Sequence, residues 1–254
     1  MAIELDKLTW PQVKAHIDAG RDTVVMALGA TEQHAHHMPL ATDALLGDHL
    51  ARVLAERLDA LLAPTVRVGC SEHHLGFPGT ISLAEETFHA LVGDLARSLL
   101  LSFRRVVFVP THGGNFAPLA AAVAKLERGD AVIAVTDLDV LLQIPQLGES
   151  EFGVSLARGG IHAGEWETSM LLAIHPELVD MAAAEPGFTG ELQDVLPRLF
   201  REGAVAGISP TGALGDPTPA SAAHGERYWS AVVELIAERI EASARARAAD
   251  PGRG

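Results

Sequence analysis

Four short apolar runs, at residues 23–28, 61–68, 105–109 and 131–136, alternate with longer stretches in which apolar residues recur three and four positions apart. This alternation restricts the fold more than any other feature. Each run is rich in Val, Ile and Leu and lacks the polar alternation of a strand with one wet face, so each reads as a strand covered on both sides. The patterns at 44–58, 84–101, 117–126, 165–174 and 222–244 read as helices. Strands joined through helices pair in parallel. The expected architecture is a single-domain three-layer α/β/α sandwich with a mostly parallel central sheet. At 254 residues and 48% hydrophobic content the chain suffices for one such core. The domain is placed at residues 1–245 with a frayed tail at 246–254, and residues 143–160 read as a loop near the site.

Composition limits the partners. Thirty-three acidic against nineteen basic residues give a formal charge of −14, which repels phosphate backbones and anionic lipid and argues against nucleic acid or membrane partners. The beginning MAIELDKLTW lacks the basic flank and apolar run of a signal peptide, so a cytoplasmic location is expected. Cys70 is the single cysteine, which excludes an intrachain disulfide and any CxxC zinc site. Oxygen and nitrogen must therefore supply any metal ligands.

In parallel sheets ligands collect beyond the carboxyl ends of strands. The segment after the run at 23–28 reads GATEQHAHHMPLATDALL and gathers Glu32, His34, His36, His37 and Asp43. If Glu32 and His34 continue an extended strand, their spacing of two sends both side chains to one face. Asp43 opens the next helix, where it reads equally as an N-cap. The segment after 105–109 reads PTHGGNFAP: Gly113 and Gly114 let backbone approach a ligand, while Asn115 reads equally as a cap on a tight turn. A third cluster, GGIHAGEWETSM, puts His162, Glu165 and Glu167 at a helix start. There the helix dipole alone would favour one acidic residue but does not explain His162, for which a buried histidine bonded to a backbone carbonyl is the alternative account. Together the clusters supply the nitrogen and oxygen ligands that Zn²⁺, Mn²⁺ or Fe²⁺ accept.

Five segments, GATEQHAHHMPLATD, GCSEHHLGFPGT, PTHGGN, GGIHAGEWETS and GALGDPTPAS, resemble in that order the motifs of the creatininase family. The resemblance implies hydrolysis of the C–N amide bond of a small-molecule amide substrate by two divalent ions per chain (Zn, Mn or Fe), and a homo-oligomer, commonly a hexamer. Carried over residue by residue, it implies Glu32 and His112 on one ion, His34 and Glu165 on the other, and Asp43 bridging them. It also implies His162 as general acid and base, counted with Glu165 among the catalytic residues, and Ser71, His74, Gly113 and Gly114 beside the substrate. Creatinine-cleaving members carry a metal-binding Glu where Gly114 stands and a Trp-Asp pair where Arg158 and Gly159 stand. Cleavage of a formamide, or trimming of a modified precursor peptide as in mycofactocin maturation, therefore stands beside creatinine as the expected reaction.

Other readings leave traces that can be sought. A serine esterase with His112-Gly113-Gly114 as its oxyanion loop needs a G-x-S-x-G elbow, and none occurs. Neither G-x-G-x-x-G nor a P-loop is present. A metal-stabilised binding subunit without turnover would use the same ligands.

Overall fold

The computed structural model describes residues 1–249. Its centre is a five-stranded, wholly parallel sheet in the order β1-β3-β2-β4-β5, formed by β1 (Ile3–Glu4), β2 (Thr23–Leu28), β3 (Leu61–Leu62), β4 (Arg105–Pro110) and β5 (Val132–Ala134). The longest pairing runs from Thr23 opposite Arg105 to Leu28 opposite Pro110. From Val24 to Leu28 and from Val106 to Val109 every side chain is buried, as strands covered on both faces require.

Alternate residues of these strands divide between two cores. Val25, Ala27, Val107 and Val109 pack under α2 (Thr42–Arg57), α5 (Leu138–Phe152), α7 (Glu165–Ile174) and α10 (Ala222–Ala249). Val24, Met26, Val106 and Phe108 pack under α1 (Trp10–Asp18), α3 (Glu85–Leu99) and α4 (Phe116–Val123). The three-layer α/β/α sandwich expected from the alternation is thus present as one domain. The short helices α6 (Leu156–Gly159), α8 (Leu196–Leu199) and α9 (Ala204–Ile208) lie in the connections.

Two elements depart from the pattern reading. The run at 61–68 pairs as a ladder only at Leu61–Leu62 and resumes as a single bridge between Val66 and Leu28. Pro64, which has no N–H to donate, stands in the interruption. The expected loop at 143–160 is mostly helix. Pro145 lies inside α5, a placement that costs about 3 kcal/mol in an isolated helix, yet α5 buries Ile144 in the core and packs on α10. Gly153, at φ 68°, ends it in a left-handed C-terminal turn. Of the expected tail, residues 246–249 continue α10, and residues 250–254 lie outside the described residues.

Candidate metal centre

β2 and β4 are neighbours, so the loops that leave their carboxyl ends meet. Asn115 ties them: its amide donates to the Leu28 and Gly29 carbonyls, both at 3.0 Å, and its oxygen accepts from Cys70 N–H at 3.0 Å. It makes no cap bond to its own helix, so the capping account of this turn is not how the residue is used. Beyond Leu28 the chain does not continue as a strand through Glu32 and His34. It folds back, with Glu32 N–H on the Leu40 carbonyl and Ala35 in the left-handed region at φ 55°. Both side chains nonetheless reach one cluster.

Within that cluster Asp43, in the first turn of α2, is not a cap. Its Oδ1 lies 3.4 Å from His34 Nε2 and its Oδ2 lies 3.2 Å from His112 Nδ1. Glu32 Oε1 stands 3.3 Å from His112 Nδ1, 3.2 Å from His74 Nε2 and 3.6 Å from His162 Nδ1. Glu167 Oε1 is 3.7 Å from His34 Nε2. All of these side chains are buried. His162 is brought in by a crossing of backbones, with Ile161 N–H on the Leu214 carbonyl and Leu214 N–H on the His162 carbonyl, both at 2.8 Å. Glycine is needed there, because a Cβ at Gly160 would sit 1.7 Å from the Leu214 oxygen.

The imidazoles face the carboxylates with the wrong nitrogens for neutral hydrogen bonding. His34 Nδ1 faces the Glu32 carbonyl at 3.1 Å, His112 Nε2 the Cys70 carbonyl at 3.0 Å, and His162 Nε2 the Gln33 carbonyl at 2.9 Å. A carbonyl only accepts, so each ring spends its N–H there and turns a lone pair toward the carboxylates. Acceptor then faces acceptor. Among the described residues, Glu32 Oε1 and Oε2, His34 Nε2 and Asp43 Oδ2 are buried without a hydrogen-bond partner, a costly state unless a cation lies between them. Charge-assisted hydrogen bonds run at about 2.7–2.9 Å, whereas two ligands bonded tetrahedrally to one ion at about 2.0–2.2 Å stand roughly 3.3–3.6 Å apart. The observed separations fit the second arrangement. Glu32, Asp43 and His112 form one such group, and His34, His162 and Glu167 another, while His74 with Glu32 and His162 makes a third set within ligand reach.

Protonation follows the same neighbours. Burial opposes charge on His34 and His112, but the surrounding carboxylates outweigh it and raise both well above the ordinary histidine value. Burial, reinforced by the neighbouring His34 ring, holds His162 well below it, so His162 is neutral at pH 7. Burial also raises Glu32.

Of the residues the sequence nominated, Glu32, His34, Asp43, His112, His74 and His162 are brought together. Glu165 is not. Its carboxylate, buried, accepts from Tyr228 Oη at 2.6 Å, His224 Nδ1 at 2.8 Å and Ser169 Oγ at 2.9 Å, which leaves it committed to α10 and its own helix. Glu167 takes the place expected of it, steadied by Ala163 N–H on Oε2 at 2.6 Å. Ser71 is buried behind the cluster, with Oγ 3.4 Å from the outward nitrogen of His112. Gly113 is exposed, with open space where a Cβ would stand. Gly114 has none: a Cβ there would lie 2.2 Å from the Cys70 oxygen and 2.5 Å from His112 Nε2, so no side chain at 114 can reach the cluster without moving this backbone. Arg158 turns away to Asp216, at 3.0 Å. Sequence reading also missed Gln33, whose side chain touches both His74 and His162. Its polar neighbours in the EQH segment were the only signal.

Carboxylates and imidazoles facing one another beyond the strands of a parallel α/β sandwich define a class of proteins built to hold divalent cations. The creatinine amidohydrolase family model matches residues 6–240, and the chain belongs to this, the creatininase, family. A mycofactocin precursor peptide peptidase of Mycolicibacterium smegmatis is 38% identical over 229 residues, 86% of this chain and 84% of that protein. The creatinine amidohydrolase of Pseudomonas putida is 30% identical over an alignment of 264 positions, 94% of this chain and 96% of that one. Among solved structures, a Zn-Zn form of a mutant creatininase superposes with TM-score 0.78 at 29% identity, covering 94% of this chain and 97% of the other. A manganese creatininase gives TM-score 0.75, covering 94% and 98%.

Proposed function

We propose that the chain hydrolyses a C–N amide bond at a centre of two divalent ions, one held by Glu32, Asp43 and His112 and the other by His34, Asp43 and Glu167. What carries this reading is the set of buried carboxylate oxygens and ring nitrogens turned on one another, among which Glu32 Oε1 and Oε2, Asp43 Oδ2 and His34 Nε2 have no hydrogen-bond partner. When bound, such ions lower the pKa of water and polarise a carbonyl. The protein's own part is positional and acid–base. His162, neutral and with Nδ1 turned inward, takes a proton from the attacking water and returns it to the departing nitrogen as the C–N bond breaks.

For the substrate we favour the end of a short peptide over a cyclic amide. The relatives named for a precursor peptide are 36–38% identical to this chain, against 30% for the creatinine enzyme. The closed backbone at Gly114 and the outward pairing of Arg158 also stand at the positions where creatinine-cleaving members differ. The test is to incubate the metal-loaded protein with short unblocked peptides and with creatinine, and to follow by mass spectrometry the gain of one water. Cleavage of peptide, lowered about 10²–10⁴-fold by His162→Ala with metal content kept, is the expected result. Turnover by thoroughly metal-free protein, or hydrolysis of neither class, refutes the proposal.

A further inference from the structure

We propose that Gln33 is a positioning residue that holds His74 as its Nε2–H tautomer, which makes His74 a hydrogen-bond donor to the substrate carbonyl oxygen and not a metal ligand. The donor role rests on the amide-hydrolase reading above; the tautomer itself does not.

The Gln33 side chain is buried, and two backbone groups of opposite polarity fix which end is which. Its Oε1 lies 2.9 Å from Ala35 N–H, which only donates, and its Nε2 lies 3.1 Å from the Gly212 carbonyl, which only accepts. One amide hydrogen therefore goes to Gly212. The other is shared between two candidates, His74 Nδ1 at 2.8 Å and His162 Nε2 at 2.9 Å. His162 Nε2 already has an acceptor, the Gln33 carbonyl at 2.9 Å. Making it accept instead would either set two ring acceptors against the one remaining hydrogen or turn a protonated His74 Nδ1 on the amide, and in both cases it would leave that carbonyl facing a lone pair. The hydrogen goes to His74 Nδ1, and a neutral imidazole that accepts at Nδ1 carries its proton on Nε2.

His74 Nε2 lies at the cluster, 3.2 Å from Glu32 Oε1 yet without a hydrogen bond to it. The set of Glu32, His74 and His162, although within ligand reach, thus lacks the lone pair that an ion would need from His74. A neutral donor aimed at the reacting space suits a carbonyl oxygen that gains charge as water adds to its carbon. The backbone is shaped around this amide. Ala35, whose N–H anchors Oε1, holds a left-handed φ of 55°, an unfavourable conformation for alanine. Gly212, at φ 87°, leaves no room for a side chain, since a Cβ would stand 2.0 Å from Gln33 Oε1.

The experiment is nitrogen NMR of zinc-loaded protein containing isotope-labelled histidine, with His74 signals assigned by their loss in His74→Asn. Wild type is expected to show a bare Nδ1 and a protonated Nε2 at His74 throughout the neutral range. Gln33→Glu, whose carboxylate can only accept, is expected to move the proton to Nδ1 without lowering zinc per chain, and to reduce kcat on a peptide that wild type cleaves by about 100-fold with less change in KM. Gln33→Leu is expected to give a mixture of tautomers. A protonated Nδ1 at His74 in wild type, or direct coupling of His74 Nε2 to cadmium substituted for zinc, overturns the inference, and both are read on the wild-type protein, whatever the fold of the Gln33 variants. Should wild type show the expected tautomer and cleave no amide, the assigned reaction fails while the role of Gln33 in fixing the ring stands.

Discussion

Glu165 and Glu167 begin the same helix two positions apart, and about 200° of helical rotation separates them. One faces Tyr228 and His224 of α10; the other faces His34 and the amide of Ala163. Their substitutions should therefore separate metal binding from stability. Glu167→Gln is expected to lower bound metal from two ions toward one per chain. Glu165→Gln is expected to keep both ions and lose about 1–3 kcal/mol of stability, because the donors on buried Tyr228 and half-buried His224 would meet an amide in place of a carboxylate. Elemental analysis and denaturant unfolding of the two variants decide this, and metal loss in Glu165→Gln with none in Glu167→Gln reverses the assignment. The sequence GEWET names both acids but not which one turns inward. That depends on where α10 docks, some sixty residues further along the chain. Glu32, His34, Asp43 and His112 were legible because each lies just past a strand or at a helix start, where local pattern and topology agree. Gln33 was not, since a neutral amide carries no pattern of its own.

Elements are held in register at the site by a few polar ties. Asn115 joins the ends of β2 and the segment at Cys70 to the start of α4. Asn115→Ala leaves the Gly29 carbonyl and the Cys70 N–H without this partner, while the Leu28 carbonyl keeps Thr111 N–H, and a loss of about 2–4 kcal/mol is expected from chemical unfolding. A change within experimental error would mean that water replaces the amide. A second tie links the turn after Leu214 to α6. Asp216 accepts from Thr218 N–H at 2.9 Å, Thr218 Oγ1 at 2.6 Å and Arg158 Nε at 3.0 Å. Burial works against its charge, but these donors prevail and hold its pKa below the ordinary aspartate value. A lowered folded-state pKa gives stability that is complete above the unfolded value and fades as pH falls through the folded one. Asp216→Asn should therefore melt below wild type at pH 7, and the gap should narrow as the pH falls below the ordinary aspartate value of about 3.9; a gap that does not narrow in acid would assign the effect to packing. The helices and central strands were readable from periodicity because burial on both faces leaves a plain apolar run. The interruption of β3 at Pro64 and the helix through Pro145 were not, since the first depends on which neighbour accepts the remaining N–H groups and the second on support from α10.

At the scale of the whole molecule the fold contains a conflict that cations resolve. Two apolar cores, one on each face of the sheet, meet a pocket in which Glu32, Asp43 and Glu167 are all buried. No helix among the described residues is long and apolar enough to cross a membrane, and the formal charge of −14 adds diffuse repulsion to this concentrated one. Without ions, the pocket must recruit protons onto His34 and His112, whose raised pKa values follow from those carboxylates, or admit water. With the two proposed dications, the three carboxylates would be neutralised in place. Ions that bind the folded chain and not the unfolded one stabilise it by about 2.7 kcal/mol at a hundredfold excess over the dissociation constant. For a domain of this size each kcal/mol moves the midpoint by roughly 2–4 °C, so chelation should lower the melting temperature by roughly 5–10 °C for each ion removed, and zinc or manganese should restore it. Asp43→Asn removes the carboxylate that faces both His34 and His112, and in that variant the response to chelator should largely vanish. A melting temperature indifferent to chelator in the wild type would mean that imidazolium rings, not metal ions, balance the buried carboxylates.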